Sequence, residues 1–267
     1  MGIRSTARAF LSAPVLLGIL IAVSAPARAQ QNDFLSNREY QICLSLAVRN
    51  PEEGFEHSLR WHDAGGGEAA LHCSAIALIN LGHYEEAAKR LETLALGMTE
   101  ETPPNVVAEI LAHAAIAWQQ ADNPDKALEV QNSALELSPN NPDILTDRAV
   151  SYFSRAEYWE AIDDLNQALF LAPGSAPIHA LRASAYRYVD ALDLAMEDAN
   201  RALKLEPDNP EALLERGIIH RLQGNAVGAR QDWLTLIRLH EGRPAAEDAK
   251  RNLEMLDVQV DDVAGPE

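Results

Sequence analysis

Eight histidines, two cysteines and a recurring arginine–aspartate pair are the groups in this chain with most chemistry to offer. His57, His62, His72 and Cys73 lie close in sequence. Their spacing matches no zinc pattern, because His-X-X-X-X-His is not one helical turn, and neither a paired-Cys motif nor His-Glu-X-X-His is present. A phosphate-cradling glycine loop, a nucleophile elbow and a Cys-X-X-Cys-His haem site are absent too. The reading is therefore of no metal, no cofactor and no catalytic residue, with the histidines solvated or satisfied in the core. The arginine–aspartate pairs are Arg148 with Asp164, Arg182 with Asp198 and Arg216 with Asp232, each sixteen residues apart. One step earlier the matching places hold Ala114 and Val130, so both charges vanish together. A catalytic carboxylate has no reason to recur identically, whereas a structural ion pair does.

The elements that position these residues follow from a period of 34. Ala127, Ala161, Ala195 and Ala229 are separated by that interval, as are Pro139, Pro173 and Pro207, and Ala115, Ala149, Ala183 and Gly217. Each unit reads as two amphipathic helices, for example Asp143 to Arg155 and Tyr158 to Leu171, with apolar residues every three to four positions. Pro closes each unit, and Asn140-Asn141-Pro142 and Asp208-Asn209-Pro210 supply caps for the next helix. Small residues where two helices cross let their backbones approach closely. Composition agrees: the chain is 47% hydrophobic with 6% aromatics, which favours packed helices.

With these residues in view the sequence resembles the tetratricopeptide repeat family, specifically over residues 108–241. The unit from Pro142 to Ser175 has Ala149, Tyr152, Tyr158, Ala161, Leu165, Ala168 and Pro173 where that pattern asks for small, aromatic, aromatic, small, bulky, small and Pro. The following unit has Leu192 in place of the second aromatic, and the one from Pro210 has Leu236 and Glu241 where Ala and Pro are expected. The resemblance implies an all-α, right-handed superhelical solenoid of helix-turn-helix repeats that binds other proteins.

The organisation expected is a signal peptide over 1–29, a divergent helical pair over 30–67, five repeats over 68–243 with a six-residue insertion around Met98 to Pro104, a capping helix over 244–257 and an acidic tail over 258–267. Arg4 and Arg8 precede an apolar run from Ala9 to Val23, and Ala27-X-Ala29 suits cleavage before Gln30. An uncleaved anchor is the alternative; the expectation is an exported protein, periplasmic or secreted, with no stable membrane insertion after cleavage. Loss of Arg4, Arg8 and Arg28 leaves 19 basic against 40 acidic residues, a net of −21 in place of −18. Such a surface repels nucleic acid and anionic lipid. In an oxidising compartment Cys43 and Cys73, on first helices of neighbouring units, are expected to pair, with two buried thiols as the alternative.

Function then lives on the inner wall formed by the first helix of each unit. Helix phase places His113, Gln120, Asp147, Arg187, Tyr188 and Arg221 there, above an apolar floor of Ile116, Val150 and Ile218. The absence of Lys from these inner positions argues against the family's clamp for a peptide's terminal carboxylate. The expected role is a non-enzymatic scaffold or adaptor in a bacterial-type cell envelope, binding a protein or peptide segment of acidic, amphipathic character. A receptor enclosing a small lipid or solute is the rival.

Overall fold

A computed structural model describes residues 37–263, with side chains from Asn37 to Asp257. The expected signal segment, its cleavage site and the last residues of the acidic tail lie outside the described residues. Helices follow one another as α1 (Arg38–Arg49), α2 (Pro51–Trp61), α3 (Gly67–Asn80), α4 (Tyr84–Gly97), α5 (Pro104–Gln120), α6 (Pro124–Leu137), α7 (Pro142–Ser154), α8 (Tyr158–Leu171), α9 (Ala176–Tyr188), α10 (Leu192–Leu205), α11 (Pro210–Leu222), α12 (Ala226–Leu239) and α13 (Pro244–Val263). Among the described residues there is no strand, and no helix is long and apolar enough to cross a membrane. The molecule is a right-handed superhelical solenoid in which each helix packs on its neighbours in sequence.

Local chemistry sets the punctuation. Asn50, Asn123, Asn141, Ser175, Asn209 and Asn225 each accept a hydrogen bond from a first-turn N–H, and Pro follows directly at α2, α6, α7 and α11. These caps satisfy donors that the helix itself leaves open. Between the two helices of each repeat one residue takes positive φ: Gly82, Asp122, Ala156, Asp190 and Gly224, from 57° to 81°. Only two are glycine, so the turn is imposed by packing on both sides of it, and Ala156 carries the steric cost of its Cβ.

The core runs down the stack between paired helices. Ala87, Ala115, Ala127, Ala149, Ala161, Ala183, Ala195 and Ala229 are all fully buried. Gly217 replaces Ala because Trp233, itself fully buried, fills the crossing: a Cβ on Gly217 would sit 2.2 Å from the indole nitrogen. The divergent first pair uses the same device in another register, since a Cβ on Gly54 would lie 2.5 Å from the Ala47 backbone. A π-helical turn, His62–Gly66, joins α2 to α3 through Gly65 at φ 96°. At the other end α13 runs to Val263, six residues past the expected end of the cap.

Candidate partner-binding groove

First helices converge on the inner side of the solenoid, where α3 meets α5, α5 meets α7 and α9 meets α11. The 34-residue register turns this wall into rows. His113, Asp147, Leu181 and Glu215 form one row, Gln119, Phe153, Arg187 and Arg221 a second, and Gln120, Ser154, Tyr188 and Leu222 a third. The second row of one unit reaches the first row of the next. Gln119 Nε2 donates to the Asp147 carbonyl and to Ser151 Oγ, each at 2.8 Å. Two units on, Arg187 donates through Nε to Glu215 Oε2 at 2.6 Å and through Nη2 to Oε1 at 3.1 Å, while Ser184 Oγ donates to Oε1 at 3.0 Å.

The six residues expected on this wall are all on first helices, but they do not act as one cluster. Gln120 is exposed. His113 is mostly buried and faces His72 across the unit boundary, Nε2 of His72 lying 3.1 Å from Nδ1 of His113. Arg187 is matched by Glu215, so its charge is already engaged within the wall. Tyr188 is 51% exposed and rigid, stacked on Tyr158 with ring centroids 4.5 Å apart and covered by the Arg187 guanidinium at 4.3 Å. Phe153 meets both tyrosines edge-on. Burial pushes the Asp147 carboxyl up to about 6, with Asp143 adding like charge. Arg221 Nε is buried with no hydrogen-bond partner among the described residues. Glu215 and Leu222 were not anticipated, although both stand in the register of named residues, Glu215 with His113 and Asp147, Leu222 with Gln120 and Tyr188. Past Arg221 the wall ends in an open groove of about 510 Å³ between α11 and α13, floored by Leu214, Ile218 and Met255.

On the other side of the first helices the arginine–aspartate pairs close as two-pronged bonds within their own units. Arg148 Nε and Nη2 each lie 2.7 Å from Asp164, Arg182 lies 2.6 and 2.8 Å from Asp198, and Arg216 lies 2.8 and 2.7 Å from Asp232. The aspartates are 4–6% exposed. Each arginine has a third partner in the preceding unit: Nη1 donates to Asn132, Asn166 or Asn200 at 2.7–3.0 Å. Those asparagines, also 34 apart, are the part of the ladder that sequence reasoning missed. Ala114 and Val130, where the ladder lacks its charges, are buried apolar contacts.

Residues 180–247 match the tetratricopeptide repeat family model. The chain has the fold of a tetratricopeptide-repeat solenoid. No curated protein matches its sequence. Among solved structures, a chain of the APC/C hetero-tetramer Cut9–Hcn1 superposes with a TM-score of 0.63 at 17% identity, over 82% of this chain and 46% of that one. This chain therefore spans less than half the length of that relative. MamA from Desulfovibrio magneticus RS-1, from residue 41 to its end, gives 0.56 at 20% identity over 67% of this chain and 98% of its own. A second MamA structure gives 0.53 at 17%, over 67% and 96%. At these identities the likeness is one of fold.

The N-terminal part of the chain is joined differently. Cys43 on α1 and Cys73 on α3 are disulfide-bonded, both fully buried, with Cα atoms 6.2 Å apart. One turn from Cys43, the Tyr40 hydroxyl lies 2.6 Å from His72 Nδ1, and His72 continues to His113. A hydrogen-bonded chain thus crosses α1, α3 and α5. Burial holds His72 neutral, down at about 3, with His113 adding to the effect, and burial lowers His113 as well. Burial raises Tyr40, with Glu109 contributing. Among the described residues no group of three His, Cys, Asp or Glu side chains is placed to hold a metal ion.

Proposed function

We propose that this tetratricopeptide protein is a non-enzymatic scaffold whose inner wall seats a segment of a protein partner, and that it is exported and works in a bacterial-type cell envelope. The observation that carries the binding site is the exposed Tyr188, held between Tyr158 and Arg187, with exposed Leu222 in the same row one unit on and Arg221 next to it in sequence. Tyrosine fixed by stacking and arginine without a partner are the side chains that most often dominate protein interfaces, because little freedom is lost when they are covered. Since Glu215 already engages Arg187, only Arg221 is left to meet acid. Asp147, one carboxylate with a raised pKa, suits a neutral donor or a basic residue better. The partner segment is therefore of mixed charge, apolar at its centre and acidic toward the α11 end.

Export rests on Arg4, Arg8, the apolar run and Ala27-X-Ala29, together with the single cysteine pair. N-terminal sequencing of the protein from its native host gives Gln30 as the first residue if this is right, and Met1 in the membrane fraction if the segment is an anchor. Crosslinking in the native compartment followed by mass spectrometry names the partner. Tyr188→Ala combined with Arg221→Ala then weakens that partner at least tenfold with an unchanged circular dichroism spectrum. Full affinity in the double variant would move the site off the inner wall.

A further inference from the structure

The outer face of α8 carries two large aromatics that the fold does not use. Trp159 is 61% exposed and Phe170 is 86% exposed, whereas Trp118 and Trp233 are buried. Eleven residues separate the pair, which is three helical turns, so both point the same way about 16 Å apart. The exposed residues between them include Glu160 and Asp163, and neither carboxylate makes an ion pair among the described residues. This is not a property of the repeat. At the register of Trp159 the other units have Glu85, Asp125, Asp193 and Val227, and at that of Phe170 they have Leu96, Glu136, Lys204 and Arg238. Only one unit pairs two aromatics on its outer face.

We infer that the outer face of α8 is a second docking surface, taking a basic amphipathic helix of a protein partner. Apolar side chains three turns apart on that helix would cover Trp159 and Phe170, and Lys or Arg between them would meet Glu160 and Asp163. Charge selects this occupant. The chain's net charge of −18 opposes both a second copy of itself and an anionic lipid surface, and attracts a basic segment. Aromatic anchors with Glu160 and Asp163 beside them on the same helix then select an amphipathic basic helix over a merely cationic chain. With the inner wall occupied independently, the protein would bridge two partners.

The test uses the full chain and two labelled eighteen-residue peptides of leucine and lysine with the same composition, one with its leucines on a single helical face and one scrambled. Fluorescence anisotropy at about 0.15 M salt, where screening has already weakened diffuse attraction, reads the affinity. The amphipathic peptide is expected to bind at least tenfold more tightly than the scrambled one. Trp159→Ser with Phe170→Ser should remove at least tenfold of that affinity, and Glu160→Lys with Asp163→Lys should do the same. Tyr188→Ala with Arg221→Ala should leave it unchanged, which separates this surface from the inner wall. Equal binding of the two peptides, or full affinity in the serine variant with its helical content intact, would overturn the proposal. So would loss of affinity in the inner-wall variant, because it would place the peptide in the groove.

Discussion

The two halves of this solenoid solve one problem by different means. From α6 to α12 consecutive repeats are locked by an Asn–Arg–Asp ladder at constant register. From α1 to α5 the ladder is missing, and a disulfide and a Tyr40–His72–His113 chain of neutral groups hold the helices instead. The difference is partly one of residues and partly one of period. The α5–α6 unit keeps the 34-residue register but carries Ala114 and Val130 where the ladder needs Arg and Asp, and upstream of it the insertion between α4 and α5 breaks the period itself. Where geometry is no longer repeated, a covalent link or a fitted pair of rings does not require it.

The sharpest way to break the comparison is to remove the covalent link. Cys43→Ser with Cys73→Ser opens a thirty-residue loop, worth about 3.5 kcal/mol on the chain-entropy account. Hydrogen exchange should show the loss concentrated in α1 to α3, with α7 to α12 nearly as protected as before. Equal loss along the chain would mean that the halves form a single cooperative unit.

The ladder comes next. Arg182→Ala leaves Asp198, 4% exposed, with only His179 Nδ1 at 2.8 Å for a partner. A stranded, nearly dry carboxylate costs about 3 kcal/mol, toward the low end of the usual range because Arg182 itself is partly wet. Replacing both members, Arg182→Met with Asp198→Leu, should recover most of that loss. Urea denaturation of the two variants checks both statements, and loss of partner binding at unchanged stability would make the ladder a site instead.

Much of this was legible in the sequence because a period repeats its errors as well as its signals. Two series of four small residues and three prolines located the helices to within a residue or two, and the sixteen-residue spacing marked the Arg–Asp pairs while leaving open whether each Arg meets the Asp of its own unit or of a neighbour. The asparagines of the ladder were equally periodic but carry no charge, so nothing marked them. The Tyr40–His72–His113 chain was not legible: its spacings of 32 and 41 match no multiple of the repeat, and the second spans the insertion between α4 and α5. On the inner wall, phase placed residues on the right helices but could not tell that Glu215 would consume the charge of Arg187. That depends on which side chains reach across a boundary.

Between the halves lies a fault. Gln131 on α6 is fully buried, and neither its amide nitrogen nor its oxygen has a partner among the described residues. Its counterpart one unit later is Leu165, also fully buried. An amide buried without hydrogen bonds is destabilising, and leucine occupies a similar volume without that cost. Gln131→Leu is expected to raise stability by about 2 kcal/mol in chemical denaturation. A decrease would mean that the amide is satisfied by water, and the joint between the halves would then be a hydrated one.

Acid should separate the halves by a smaller margin. His72 titrates at about 3 in the folded chain and near 6.5 when unfolded, so below 6.5 the unfolded chain binds the extra proton and stability falls. Between pH 6.5 and 5.5 this group alone contributes a loss of about 1 kcal/mol, and lowered His113 acts in the same direction. Asp147 acts oppositely. Its folded carboxyl, up at about 6, takes a proton before the unfolded one near 3.8, which returns about 0.7 kcal/mol over the same interval. The wild-type protein should therefore lose stability across this window, because the two histidines outweigh the aspartate. The variants resolve the parts: His72→Gln, which keeps a donor and an acceptor beside Tyr40 and His113, should lose less stability than wild type as the pH falls, while Asp147→Asn should lose more. Parallel curves for the two variants would show that neither group is held away from its ordinary titration. The neutral chain would then rest on the disulfide alone.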